Sequence, residues 1–186
     1  MILLVVGILL FAGVHFVPSL APALRASWHG RLGEAGYKGT FSLLLLISFA
    51  LMIVGWRSAQ PSFVYMPSAA LHHPALGLLV IAFVLMVCSA RSSRLCLLIR
   101  HPQLSGVALW GIAHLLLNGD SRAVVLFGGI AAWAIVEMIA INRREGAWIK
   151  GQAPSWMAEI VTLVIALVMV AVVVYIHPWI SGMPVS

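Results

Sequence analysis

Charged side chains are scarce in this sequence: five Asp plus Glu and eleven Lys plus Arg make up 9% of 186 residues, against 62% hydrophobic residues. With a mean hydropathy of +1.07, too little polar surface remains to cover a water-soluble globule, so the bilayer must act as solvent. The apolar runs are continuous rather than alternating, which excludes a membrane β-barrel and leaves an all-α, polytopic helical bundle. Cysteine is nearly absent as well. Cys88 and Cys96 show no metal-type spacing and fall where thiols stay reduced, so they are expected to pack as small apolar groups rather than form a disulfide. Internal repeats, low-complexity segments and a second domain are also missing, so 1–186 reads as a single transmembrane domain.

A helix rises about 1.5 Å per residue and needs roughly 17 to 25 apolar residues to cross the hydrocarbon. The stretches that qualify are 2–24, 40–56, 74–90, 104–118, 122–142 and 157–177, predicting six spans. The third and fourth are short, so tilt or longer helices must make up the difference. The connections are turn-like. Asn118-Gly119-Asp120-Ser121 offers a chain reversal and an N-cap for the fifth helix, and Pro154-Ser155 starts the sixth. Glu159 then falls in a first turn, where the helix dipole favours a carboxylate.

Positive charge sorts these connections. Arg25, Arg31 and Lys38 follow span one, Arg91, Arg94 and Arg100 follow span three, and Arg143, Arg144 and Lys150 follow span five, whereas only Arg57 and Arg122 face the other side. By the positive-inside rule both termini lie on the non-cytoplasmic side. The net charge of +6 therefore reads as topology and not as nucleic-acid binding. Ala21-Pro22-Ala23 resembles a signal-peptidase site, but no basic residue precedes the apolar run, and the charges after it would hold residue 1 outside, so span one is read as uncleaved.

A polar residue inside the hydrocarbon is costly and is a functional-site hypothesis by default. His15 lies about two thirds of the way down span one, and His114 lies well into span four from its opposite end; both are predicted near mid-membrane at matching depth. Buried neutral imidazoles need a hydrogen-bond partner or a metal. Two at one depth can supply both axial ligands of a haem iron, or each can simply hydrogen-bond a neighbouring helix. Trp110, Gly111 and Asn118 share the side of His114, with the glycine offering close approach to a flat macrocycle; Phe11, Ala12, Pro18 and Ser19 share that of His15. Glu137, well inside span five, is expected to pair with Arg100, His101 or Arg144 or to be protonated. Gly128, Gly129, Ala131 and Ala132 suggest a small-residue packing face on the same helix.

Gly33-Glu34, Tyr37-Lys38-Gly39, Arg100-His101-Pro102 and the run from Trp110 through Ala113-His114 to Asn118-Gly119-Asp120 resemble the NnrU family across most of the chain. That family comprises bacterial membrane proteins linked to denitrification and nitric oxide metabolism and is related to the plant 15-cis-zeta-carotene isomerase, a haem b enzyme. The resemblance implies haem b as cofactor, with Val14-His15 and the pattern His101-Pro102-Gln103 to Ala113-His114 supplying His15 and His114 as iron ligands. It also implies a bacterial inner-membrane location and, as partners, a respiratory or nitric oxide reductase complex or a hydrophobic small molecule. The isomerase's soluble N-terminal region and further C-terminal histidines have no counterpart here, so its substrate is not carried over.

Arg100-His101-Pro102 through Gly106 is similar, too, to the Arg-His-Pro-x-x-x-Gly pattern with which membrane methyltransferases bind S-adenosylmethionine. The paired glutamates those enzymes carry further on are missing from Arg143 to Trp156. Pro102 suits a helix start because its missing N–H costs nothing there. Arg100 and His101 beside it form a candidate anion site for a lipid phosphate, a haem propionate or a cofactor carboxylate, or a solvated helix end. His29, His72, His73 and His177 fall at predicted membrane edges; His72-His73 has no third metal ligand next to it. Two function classes stand: a small haem-binding membrane protein, and a cofactor-free accessory protein or small transporter.

Overall fold

The structure is a computed structural model and describes residues 1–91 and 93–181, without the side chains of Ile180 and Ser181. Among the described residues six α-helices form and strands do not: α1 Ile2–Leu20, α2 Pro22–Ser58, α3 His72–Ser89, α4 Pro102–Leu117, α5 Ser121–Glu145 and α6 Trp156–Ser181. A single β-bridge joins Phe63 to Asp120. Five segments are long and apolar enough to cross a membrane: α1, α2, 69–89, α5 and α6. A short 3-10 turn, Ala69–Leu71, lengthens the third span. The fourth stays short, since the 16 residues of α4 rise only about 24 Å against a hydrocarbon core of about 30 Å.

The chain ends several helices as elementary chemistry requires. Pro22 and Pro102 occupy first turns, where a missing N–H is harmless. The Asp120 carboxylate caps α5 by accepting from the amides of Arg122 at 2.8 Å and Ala123 at 3.2 Å. Glu159 sits in the first turn of α6.

The spans expected at 2–24 and 40–56 need correction. α1 stops at Leu20 and α2 already starts at Pro22, running through the basic stretch expected to form a loop. Gly33, at φ +68°, breaks α2 into halves 22–32 and 34–58. On a continuous helix residues 28 and 40 would stand about 18 Å apart, yet the Trp28 indole N–H donates to Thr40 Oγ1 at 3.0 Å, and the rings of Trp28 and Tyr37 are 5.0 Å apart. The first half therefore folds back over the second. Glycine permits this turn because it adopts positive φ without Cβ strain. Arg25 and Arg31 with Leu24 and Leu32 give the short half the mixed character of a helix lying in the membrane interface.

Across the bundle the packing order is α2, α1, α5, α4, α3, α6. Leu4 packs against Gly55 and Gly106 against Ala82, so α1 with α2 and α3 with α4 run antiparallel; Ile8 against Gly129 and Ser19 against Glu137 make α1 and α5 parallel. α5 is central and the most buried helix, presenting Trp133 and Glu137 toward α1 and Phe127 and Ala131 toward α4. Its small-residue face is thereby divided. Ala131 packs on α4 and Gly129 meets Ile8, whereas a β-carbon at Gly128 would meet nothing within 4 Å and Ala132 is exposed. The core joins Leu4, Ile8, Met52, Ala108, Ile130, Trp133 and Ala134.

Candidate functional site

His15 lies on α1 with its ring among Phe11 (centroids 4.3 Å), Trp133 (4.8 Å) and Phe41 (5.7 Å). His114 occupies the last turn of α4, stacked on Phe127 at 4.2 Å and 22° and beside Trp110 at 4.7 Å. Both are half-buried. In each, Nδ1 bonds the carbonyl one turn back, His15 to Phe11 O at 2.8 Å and His114 to Trp110 O at 2.9 Å. A carbonyl only accepts, so Nδ1 carries the proton and Nε2 keeps its lone pair. This is the tautomer of a metal-ligating imidazole, with its other nitrogen anchored to backbone. Phe11, Phe16, Trp56 and Trp110 all pack on the same apolar cluster, so both histidines border one aromatic-rich region of the core.

The expected matching depth is not what the helices produce. Trp133 and Phe127, the α5 partners of His15 and His114, are six residues apart, about 9 Å of helix rise, and no ring contact joins the two histidines among the described residues. The reason is the short α4, whose end at Leu117 places His114 nearer one membrane face. Gly111, expected to admit a macrocycle, instead admits α5: a β-carbon there would stand 2.7 Å from Phe127 O and 2.9 Å from Ala131 Cβ. His177 of α6 lies within electrostatic range of His114, a proximity its place at a predicted membrane edge did not announce.

Arg100 and His101 are remote from His114, which lies thirteen residues beyond His101, or about 20 Å of helix rise. Their donors tie the start of α4 to the end of α5. The Arg100 guanidinium donates to Gly146 O at 2.7 Å and contacts Glu145 Oε2 at 3.4 Å, and His101 Nε2 meets Asn142 Oδ1 at 2.9 Å. A shallow cavity of about 490 Å³ opens beside them, lined by Ile141, Glu145, Ala147, Trp148 and Ile149.

Glu137 does not form the expected ion pair. It is 7% exposed and accepts a hydrogen bond from Ser19 Oγ at 2.9 Å. Arg144 reaches past it to donate to Pro18 O at 2.5 Å and to Glu145 at 2.8 Å. Ser19 and Glu137 each stand four residues beyond His15 and Trp133, so this buried polar pair lies one turn below the His15 site.

Glu159, beyond its helix-end position, clasps the α3–α4 connection. It is 7% exposed and accepts from Ser93 Oγ at 3.0 Å and from the Arg94 amide at 2.8 Å. Arg91 Nε donates to Thr162 Oγ1 at 3.3 Å, and the Arg94 guanidinium lies 4.0 Å over the Trp156 ring. Among the described residues no group of three or more His, Cys, Asp or Glu is placed to share a metal ion. His72 and His73 have their rings 5.5 Å apart.

A row of antiparallel apolar helices around a central α5, holding two half-buried imidazoles against aromatic walls, defines a polytopic helical membrane protein with a candidate ligand site inside the bundle. The chain belongs to the NnrU family, whose model, described as NnrU protein, matches residues 3–185. Neither the curated proteins nor the solved structures gave a match.

Proposed function

We propose that this chain is a haem-binding protein of the bacterial inner membrane, with haem b held through His15 and His114. One observation carries the reading: both half-buried histidines have Nδ1 committed to a backbone carbonyl, leaving Nε2 with its lone pair, and both border one aromatic-rich apolar cluster. Neutral imidazoles of this tautomer are a donor type that haem iron takes. Because the rings meet α5 six residues apart, seating both on one iron requires α4 to shift along α5.

When bound, haem supplies redox or ligand-activating chemistry that no side chain here provides. The chain's own residues anchor the two imidazoles through Phe11 O and Trp110 O and exclude water with Phe11, Trp110, Phe127 and Trp133. Arg100 and His101 hold the start of α4 to the end of α5, a positioning role. The family resemblance supports a link to nitric oxide metabolism and denitrification, or to isomerisation of a lipid-soluble substrate, with a respiratory or nitric oxide reductase complex as partner. The methyltransferase alternative is disfavoured because the paired glutamates of those enzymes are missing from Arg143 to Trp156.

The test is the oxidised and reduced absorption spectrum of the purified protein made with ample haem, beside His15→Ala and His114→Ala. A Soret band with sharp reduced α and β bands, altered in each variant, is the expected result. A folded wild-type protein without a Soret band overturns the reading and leaves a cofactor-free accessory or transport protein.

A further inference from the structure

The segment joining α2 to α3, residues 59–68, is built unlike a water-exposed loop. From Ser58 to Ala90 the sequence contains no Asp, Glu, Lys or Arg. Phe63, Val64 and Met66 are nonetheless 74%, 51% and 79% exposed. Their backbone is not free to fold them inward. The amides of Val64 and Tyr65 both donate to Gly119 O, at 2.9 and 3.1 Å. The Ser121 amide donates to Ser62 O at 2.9 Å, and the Ser62 amide to Ser121 Oγ at 3.1 Å.

The Tyr65 hydroxyl, pointing the other way, meets Leu115 O and donates to Asn118 O at 2.9 Å. Tyr65 thus binds carbonyls at the end of α4, and a β-carbon at Gly119 would run into the Tyr65 carbonyl. The segment rests on the helix that is about 6 Å too short to span the hydrocarbon. Backbone at membrane depth is tolerated where its polar groups are satisfied by protein, and these bonds satisfy the amides of Ser62, Val64 and Tyr65 in the segment and of Ser121 in its partner turn.

We infer that residues 60–67 cap the short α4 from within the bilayer, with Phe63, Val64 and Met66 embedded among the acyl chains of the leaflet opposite the basic end. The occupant of this apolar surface is lipid, because no charged side chain lies between Phe63 and Leu71, and the exposed apolar side chains there lead directly into the membrane-spanning segment 69–89. The cap covers the end of α4 that carries His114, whose carbonyl accepts from Asn118 Nδ2 at 2.9 Å.

Nitroxide labels at Phe63→Cys and at Met66→Cys, each in a Cys88→Ala, Cys96→Ala background, test this by power-saturation EPR in vesicles of phosphatidylethanolamine and phosphatidylglycerol at high lipid-to-protein ratio. Molecular oxygen is expected to relax both labels several-fold more than a water-soluble nickel chelate does, with the reverse at Gln152→Cys in the polar 146–155 segment. If Cys88→Ala prevents folding, the buried Cys88 is retained and only Cys96 replaced. Stronger relaxation by nickel at 63 and 66 would put the segment in water, and weak relaxation by both agents would put it under protein; either result overturns the inference.

Discussion

One chemical change, glycine to alanine, should act in opposite directions at two positions, Gly111 on α4 and Gly128 on α5. At Gly111 the new methyl would stand 2.7 Å from Phe127 O and 2.9 Å from Ala131 Cβ, and neither neighbour can retreat, one being backbone and the other a β-carbon fixed to its helix. α4 and α5 must separate, an overpacking of about 1–3 kcal/mol. At Gly128 on α5 the methyl meets nothing within 4 Å, so what remains is the better helix propensity of alanine, about 0.8–1 kcal/mol in its favour in water. The two variants should therefore differ by roughly 2–4 kcal/mol. Reversible unfolding by SDS titration in mixed micelles, followed by far-UV circular dichroism, measures the difference. Equal stabilities within about 0.5 kcal/mol, the usual scatter of surface substitutions, would refute the assignment of Gly111 to the α4–α5 contact and of Gly128 to the open face.

Glu159→Ala strips the acceptors from Ser93 Oγ and the Arg94 amide and should cost about 1–3 kcal/mol, seen as earlier melting of the purified protein, while Glu159→Gln keeps an acceptor and should cost less. A double-mutant cycle on Ser19→Ala and Glu137→Leu, which remove the donor and the acceptor of this bond, should return a coupling of about 0.5–1.5 kcal/mol; no coupling would show that the buried pair is not formed. Burial raises the Cys96 thiol above its ordinary range, so less thiolate is present at neutral pH; alkylation by iodoacetamide should be slower than for free cysteine near pH 7.5 and climb steeply above pH 9. Lys38 and Glu34, both exposed, form a 2.6 Å pair within the second half of α2, and exposed pairs of this kind contribute little, so Lys38→Gln should leave unfolding midpoints unchanged.

The membrane class, the number of helices, the cap at Asp120 and both candidate histidines were legible in the chain itself. Hydropathy, helix-start chemistry and the rarity of a polar group in an apolar run are local properties, available wherever the residues stand. Charge was less transparent. Arg25 and Arg31 suggested a loop because basic residues flank spans, yet a helix can lie along the interface and keep those side chains wet while its axis turns back at Gly33.

Relations between helices required coordinates, because rotation and relative height of each helix are set by side chains on its neighbours. Gly111 and Gly128 are alike in sequence and opposite in environment since α4 approaches only one face of α5. Glu137 pairs with Ser19 rather than with a cation because parallel packing of α1 on α5 brings a hydroxyl to its depth first. His15 and His114 meet different levels of α5 because α4 ends at Leu117. The solvent for which this chain is built follows from composition, and the mutual placement of its few polar groups follows from which helix packs on which.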